Sequence, residues 1–132
     1  MASIMFPTSY RRQDTVEMDW GHDGAAPLGT RYLYRNQGAP STTPQYGRVS
    51  RACTARMINV RVTTPPGSGI TDTWTLQCNG VDTTLTVSLT NSTVSASSGG
   101  AVSFAAGDDV SLKQVCASGS NTHDVQVTVD FD

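Results

Sequence analysis

From residue 73 onward the chain alternates between apolar and polar positions. Trp74, Leu76 and Cys78 alternate with Thr73, Thr75 and Gln77, and Leu85, Val87 and Leu89 with Thr84, Thr86 and Ser88. Val110 and Leu112 alternate with Ser111 and Lys113, and Val125, Val127, Val129 and Phe131 with Gln126, Thr128 and Asp130. A period of two is that of a half-buried strand. Asn79-Gly80, between the first two runs, has the residues a two-residue hairpin turn demands. Upstream, Ile58, Val60 and Val62 point one way and Met57, Asn59 and Arg61 the other. Breaks fall at Pro65–Gly69, Ser97–Gly100, Ala106–Asp109 and Ser118–Asn121, leaving Ala101–Phe104 as a short strand with Val102 and Phe104 inward. No window carries a period of 3.6. Short strands with turn signals roughly every 8–12 residues predict an all-β chain, an antiparallel jelly-roll-like β-sandwich over residues 51–132.

Residues 1–50 have another texture. Pro7, Pro27, Pro40 and Pro44 and five glycines interrupt them, yet aromatics are interleaved throughout. A disordered tail lacks such aromatics, so the segment reads as an extended, turn-rich N-terminal arm that packs on something. Thr30–Arg35 could form one strand with apolar residues on both faces. The candidate interface residues are the aromatics and arginines of this arm. They are Tyr10, Arg11, Arg12 and Trp20, then Arg31, Tyr32, Tyr34 and Arg35, then Tyr46 and Arg48. Tyr, Trp and Arg dominate interface energetics, and Arg forms bidentate pairs with carboxylates that Lys cannot match. Packing of the same aromatics on their own sandwich is the competing reading.

Composition narrows the picture. Hydrophobic residues make up 37% of 132, against the roughly 45–50% apolar usage of ordinary domains, a count that also includes Gly; the Thr-, Ser-, Gly- and Asn-rich mix suits thin sheets or a core completed by oligomerisation. The net charge of −2 is unevenly spread. Residues 1–61 hold eight arginines against four acids, whereas residues 62–132 hold Lys113 against seven aspartates. A basic arm beside an acidic barrel can dock on an acidic surface, including a second copy of itself. Scattered arginines and an overall pI of about 5.5 argue against nucleic acid. No secretory signal or apolar run of membrane-spanning length is visible, so no membrane partner is expected. Cys53, Cys78 and Cys116 lack metal spacing and read as free thiols of a reducing cytoplasm, with a Cys78–Cys116 disulfide as the alternative.

Chemistry has few handholds. His22 beside Asp19 and Asp23 could hold a metal or poise a base, and Asp108-Asp109 could contribute to a calcium site. Both fit loop chemistry better. No spacing suggests a nucleophile with its base and orienting acid. The chain therefore reads as a non-enzyme without a cofactor.

The block Ala101–Leu112, an inward Phe followed by Ala-Gly-Asp and Val-x-Leu, resembles the end of trimeric jelly rolls of the C1q and tumour-necrosis-factor type. The stretch Trp74–Val87 is similar to small structural proteins of tailed bacteriophages, namely capsid decoration (cement) proteins and fibre heads. The likeness covers residues 55–131 and leaves the arm unmatched. It implies a homotrimer on a virion surface, made in the host cytoplasm, that bridges and stabilises neighbouring capsid subunits. The alternative is a fibre-tip or receptor-binding head, gripping a host-surface glycan or protein through the loops Pro65–Ile70, Thr90–Gly100 and Ala117–Thr122.

Overall fold

A computed structural model describes residues 16–35 and 37–132. Nine strands occur among them: β1 (Val16–Ala25), β2 (Gly29–Tyr32), β3 (Gly47–Arg48), β4 (Cys53–Arg61), β5 (Gly67–Cys78), β6 (Val81–Asn91), β7 (Ser95–Phe104), β8 (Asp109–Cys116) and β9 (His123–Phe131). The chain is all-β, with two antiparallel sheets packed face to face.

Their connectivity is that of a jelly roll. The β5–β6 hairpin is innermost, and β4·β7, β2·β8 and β1·β9 pair outside it in nested order. Rolling this long antiparallel ribbon brings β4 against β9 and β5 against β8. The first sheet then runs β1-β9-β4-β7 and the second β2-β8-β5-β6, with β3 added on β8. Eight strands in two such sheets bury both inner faces without either sheet closing on itself. The turn at the ribbon's centre has Asn79 at φ 52° and Gly80 at φ 81°, the two positive angles that its Asn-Gly sequence supplies without strain.

The inner faces hold the alternating residues: Ile58, Val60 and Val62, then Trp74 and Leu76, Leu85, Val87 and Leu89, Leu112, and Val125 to Phe131. Gln114, which interrupts the apolar phase of β8, is buried and accepts the indole N–H of Trp74 at 2.8 Å. The amide oxygen thereby satisfies a core indole, while the buried Gln114 Nε2 has no partner among the described residues.

Several expectations change. The Ser97–Gly100 stretch is no break: β7 runs on from Ser95, Gly99 pairs with Met57, and a register shift between Ala55 and Met57 takes up Gly100 and Ala101 opposite Arg56. Thr30–Arg35 is not one strand. Strand β2 stops at Tyr32; Leu33 N–H then donates to Leu112, and Gly21 N–H to the carbonyl of Tyr34. Residues 33 and 34 thus lace the two sheets together along one flank. From Val16 on, the segment expected as an arm supplies β1, β2 and β3 to these sheets. Tyr10, Arg11 and Arg12 lie outside the described residues.

Gly21 is required by close approach: a Cβ there would sit 2.5 Å from the carbonyl oxygen of Val125 and 2.6 Å from the amide nitrogen of Gln37. The backbone oxygen cannot yield without breaking the β1–β9 ladder. Gly21→Ala is expected to cost about 1–3 kcal/mol by overpacking, read from a denaturant midpoint; an unchanged midpoint would show that β1 can shift off β9.

Candidate interaction surface

The described interface candidates divide sharply. Trp20 is the clearest correction: it is 1% exposed and part of the core, because position 20 shares the inward phase of β1 with Met18. The Arg35 guanidinium carbon sits 5.9 Å from the centre of its indole ring, at the outer range of a cation–π contact. Arg31 donates to its neighbour's carbonyl at Thr30, and Tyr32 is half-buried.

Tyr34, Arg35 and Tyr46 are brought together. With Leu33 and Gln45 they line a shallow groove of about 260 Å³ beside the laced flank. Gln45 ties its wall down by donating to Ser41 Oγ and to the carbonyl of Thr43, both at 3.1 Å. Tyr46 is 55% exposed, with its hydroxyl beside Gly80 of the Asn79-Gly80 turn, which the exposed Val81 follows in sequence. An amphipathic ring, an arginine and an aliphatic neighbour on one rigid wall are the components of a protein-binding patch.

Arg48 lies apart from them. With Arg51, a residue the sequence did not single out, it rims a second hollow, apolar, of about 120 Å³ between Val16, Met18, Val49 and Phe131. Arg51 forms no ion pair among the described residues, whereas Arg48 contacts Asp109 at 3.5 Å. Arg56 likewise holds Asp132 at 3.0 Å. Part of the charge split between the two halves of the sequence is therefore closed within the chain. These pairs are exposed, so each contributes little to stability.

The remaining candidates resolve into structural chemistry. Strand alternation turns His22 inward while Asp19 and Asp23 face out, so the three do not converge. The His22 Nδ1 donates to the carbonyl of Asp23 at 3.3 Å, and its Nε2 has no partner. Asp108 caps its turn, accepting the N–H of Ala105 at 2.8 Å and the amide of Asn79 at 3.1 Å. Asp124 accepts Thr63 Oγ1–H and Gly24 N–H, each at 2.6 Å, and Asp82 bonds Gln77 and Lys113.

The three cysteines are free thiols. A Cys78–Cys116 disulfide is ruled out by register. Cys78 faces Val110, and Cys116 lies six residues further along β8, about 20 Å at the rise of a strand, against at most ~7 Å between bridged Cα atoms. Burial, and then the neighbouring Asp72 carboxylate, pushes the Cys116 thiol up to about 12. In native protein at pH 8, Cys116 is therefore expected to resist a thiol-specific reagent until denaturant is added; reaction as fast as in denaturant would show that this end of the sandwich opens.

Hydrogen bonds hold the carboxyls of Asp82, Asp108 and Asp124 below the ordinary value of 3.8. The leading donors are Lys113 for Asp82, the Ala105 N–H for Asp108 and Thr63 for Asp124. A carboxylate depressed in the folded state adds stability that is complete above its unfolded pKa and lost as pH falls through the folded one. The denaturation midpoint is expected to be flat in this respect from pH 7 to 5 and to fall between roughly pH 4 and 2. A Thr63→Ala, Asn79→Ala double variant should show a smaller drop; an unaltered profile would assign the acid sensitivity elsewhere.

No protein-family model matches the chain, and no curated protein matches it.

Proposed function

We propose that this chain is a virion structural protein, a capsid decoration protein that bridges and stabilises neighbouring capsid subunits. The observation that carries the reading is the convergence of Tyr34, Arg35 and Tyr46 on one open groove of a rigid jelly roll. The partners are other copies of the chain, as a homotrimer, and the major capsid protein, met on the virion surface after synthesis in the host cytoplasm. The mechanism is mass action: a subunit that binds only the assembled lattice favours it over the dissociated one. Three linked copies multiply contacts that are individually weak.

Light scattering on the full chain, with immunogold labelling of virions from the strain that carries the coding sequence, tests this. A trimer and capsid-surface labelling are expected. The double variant Arg35→Ala, Tyr46→Ala should melt cooperatively yet bind particles at least tenfold more weakly. Particles that carry no label would overturn the reading.

One observation favours the second reading, a receptor-binding head. The loops expected to grip a host glycan or protein meet at one end of the sandwich: Asn121 N–H donates to the carbonyl of Pro66 at 2.8 Å, and Gly69 N–H to Asn91 Oδ1 at 2.7 Å. Labelling confined to tail or fibre tips would select it.

A further inference from the structure

We propose that the outer face of the first sheet binds a neutral oligosaccharide, a role beyond the subunit contacts above. Strand register maps this face. One row across the sheet is Asp19, Thr128, Asn59 and Ser97; the next is Gly21, Gln126, Arg61 and Ser95. A third begins where Thr63 bonds Asp124. The middle positions, on β9 and β4, are polar in every row, and the face is recessed into a trough where its two hollows lie.

The trough contains two hollows. One, of about 450 Å³, lies over Asn59, Arg61, Ser95, Ser97, Gln126 and Thr128. The other, of about 240 Å³, continues from Arg61 and Gln126 to Gln37, Thr63 and Asp124. Arg61 and Gln126 are common to both, so the hollows form one path along the strands. From Asn59 to Thr63 it runs about 13 Å at the rise of a strand, a length that takes two to three sugar rings.

The chemistry matches hydroxyl groups better than it matches a protein surface. The carboxamides of Asn59 and Gln126, the guanidinium of Arg61 and the hydroxyls of Ser95 and Ser97 make no hydrogen bond or ion pair among the described residues. Planar amides and guanidinium groups offer paired donors at fixed spacing, as adjacent sugar hydroxyls require. No aromatic or large aliphatic residue rises from the trough, so it lacks the apolar centre of a protein interface. Asp23 and Asp124 line the second hollow together with Arg61, which disfavours a sulfated or otherwise polyanionic chain. Without a ring to stack on, a single site binds weakly, in the millimolar range, and gains from several copies acting together.

The full chain, fluorescently labelled, is applied to an immobilised array of neutral and sulfated oligosaccharides. The strongest neutral binder, with chitotetraose and maltohexaose as fixed probes, is then titrated into ¹⁵N-labelled protein. Expected are binding to neutral members and amide shifts confined to residues 59–63, 95–97 and 124–128. The double variant Arg61→Ala, Gln126→Ala, with an unchanged melting temperature, should bind at least tenfold more weakly. An array without neutral binders would overturn the proposal. So would signal on sulfated members alone that salt abolishes, or shifts at residues 65–70 and 117–122 instead, which would move recognition to the loop end. Particle labelling by the double variant reports on the decoration role separately.

Discussion

Phe104→Ala and Phe131→Ala are each expected to lower stability by about 3–5 kcal/mol, the cost of a large core cavity. The rings meet edge to face, with centroids 5.6 Å apart and planes at 69°, and both are at most 3% exposed. Phe104 ends β7 and Phe131 ends β9, on either side of β4, where they face Cys53 and Ala55. The pair fills the inner face at this end of the first sheet, beside the apolar hollow that Phe131 also lines, and the small residues Cys53 and Ala55 that face the rings cannot refill the space that either leaves. A double-mutant cycle should return a coupling of about 0.5–1.5 kcal/mol, the part that belongs to the aromatic contact itself. Urea denaturation measures both. A single-variant loss below about 1 kcal/mol would show that the site collapses around the missing ring.

Asp72→Ala should rank beside them, at about 3 kcal/mol or more, since hydrogen bonds to a charged group are worth roughly 1.5–3 kcal/mol each. Asp72 is fully buried at the opposite end of the sandwich. It accepts the N–H of Ala117 at 2.9 Å, Thr122 Oγ1–H at 2.6 Å and the hydroxyl of Ser120. One carboxylate thereby pins the whole β8–β9 connection. Removing it takes the acceptor from the buried Thr122 hydroxyl and from the part-buried Ala117 N–H and Ser120 hydroxyl, whereas Asp72→Asn keeps an acceptor and should lose less. Hydrogen exchange at Ala117 gives a local reading beside the global one: it should rise well above that of the neighbouring strand amides in Asp72→Ala. A loss under about 1 kcal/mol would mean the three bonds do little more than repay the desolvation of the carboxylate.

Both effects rest on features of unequal legibility. Phe104 and Phe131 stood in the inward phase of their runs, so the period of two assigned them to the core. Asp72 stood in the same phase as Trp74 and Leu76, a signal that marks it as inward, but a charged residue there is credible only once its three donors are seen. Gln114 is the same case, with Leu112 and Cys116 on either side and Trp74 as the partner that makes it tolerable. Trp20 was legible as sticky but not as buried, because its strand is recognised by its pairing with β9, more than a hundred residues away in sequence. The groove of Tyr34, Arg35 and Tyr46 was half legible: the residue types marked it, and the turn at Leu33 assembled it.

By itself, the sequence determined the all-β class, most strand positions, the Asn79-Gly80 turn and the inward face of β4, β5, β6, β8 and β9. These follow from side-chain alternation and turn chemistry, which are local. The tertiary structure alone decided that residues 16–48 complete both sheets, that β7 runs through its glycines, and that Trp20 is core rather than contact surface. It also aligned Asn59, Arg61 and Gln126 into one trough. Each of these depends on which distant strands pair and in which register, and register is set by the rolled ribbon as a whole rather than by any single segment of it.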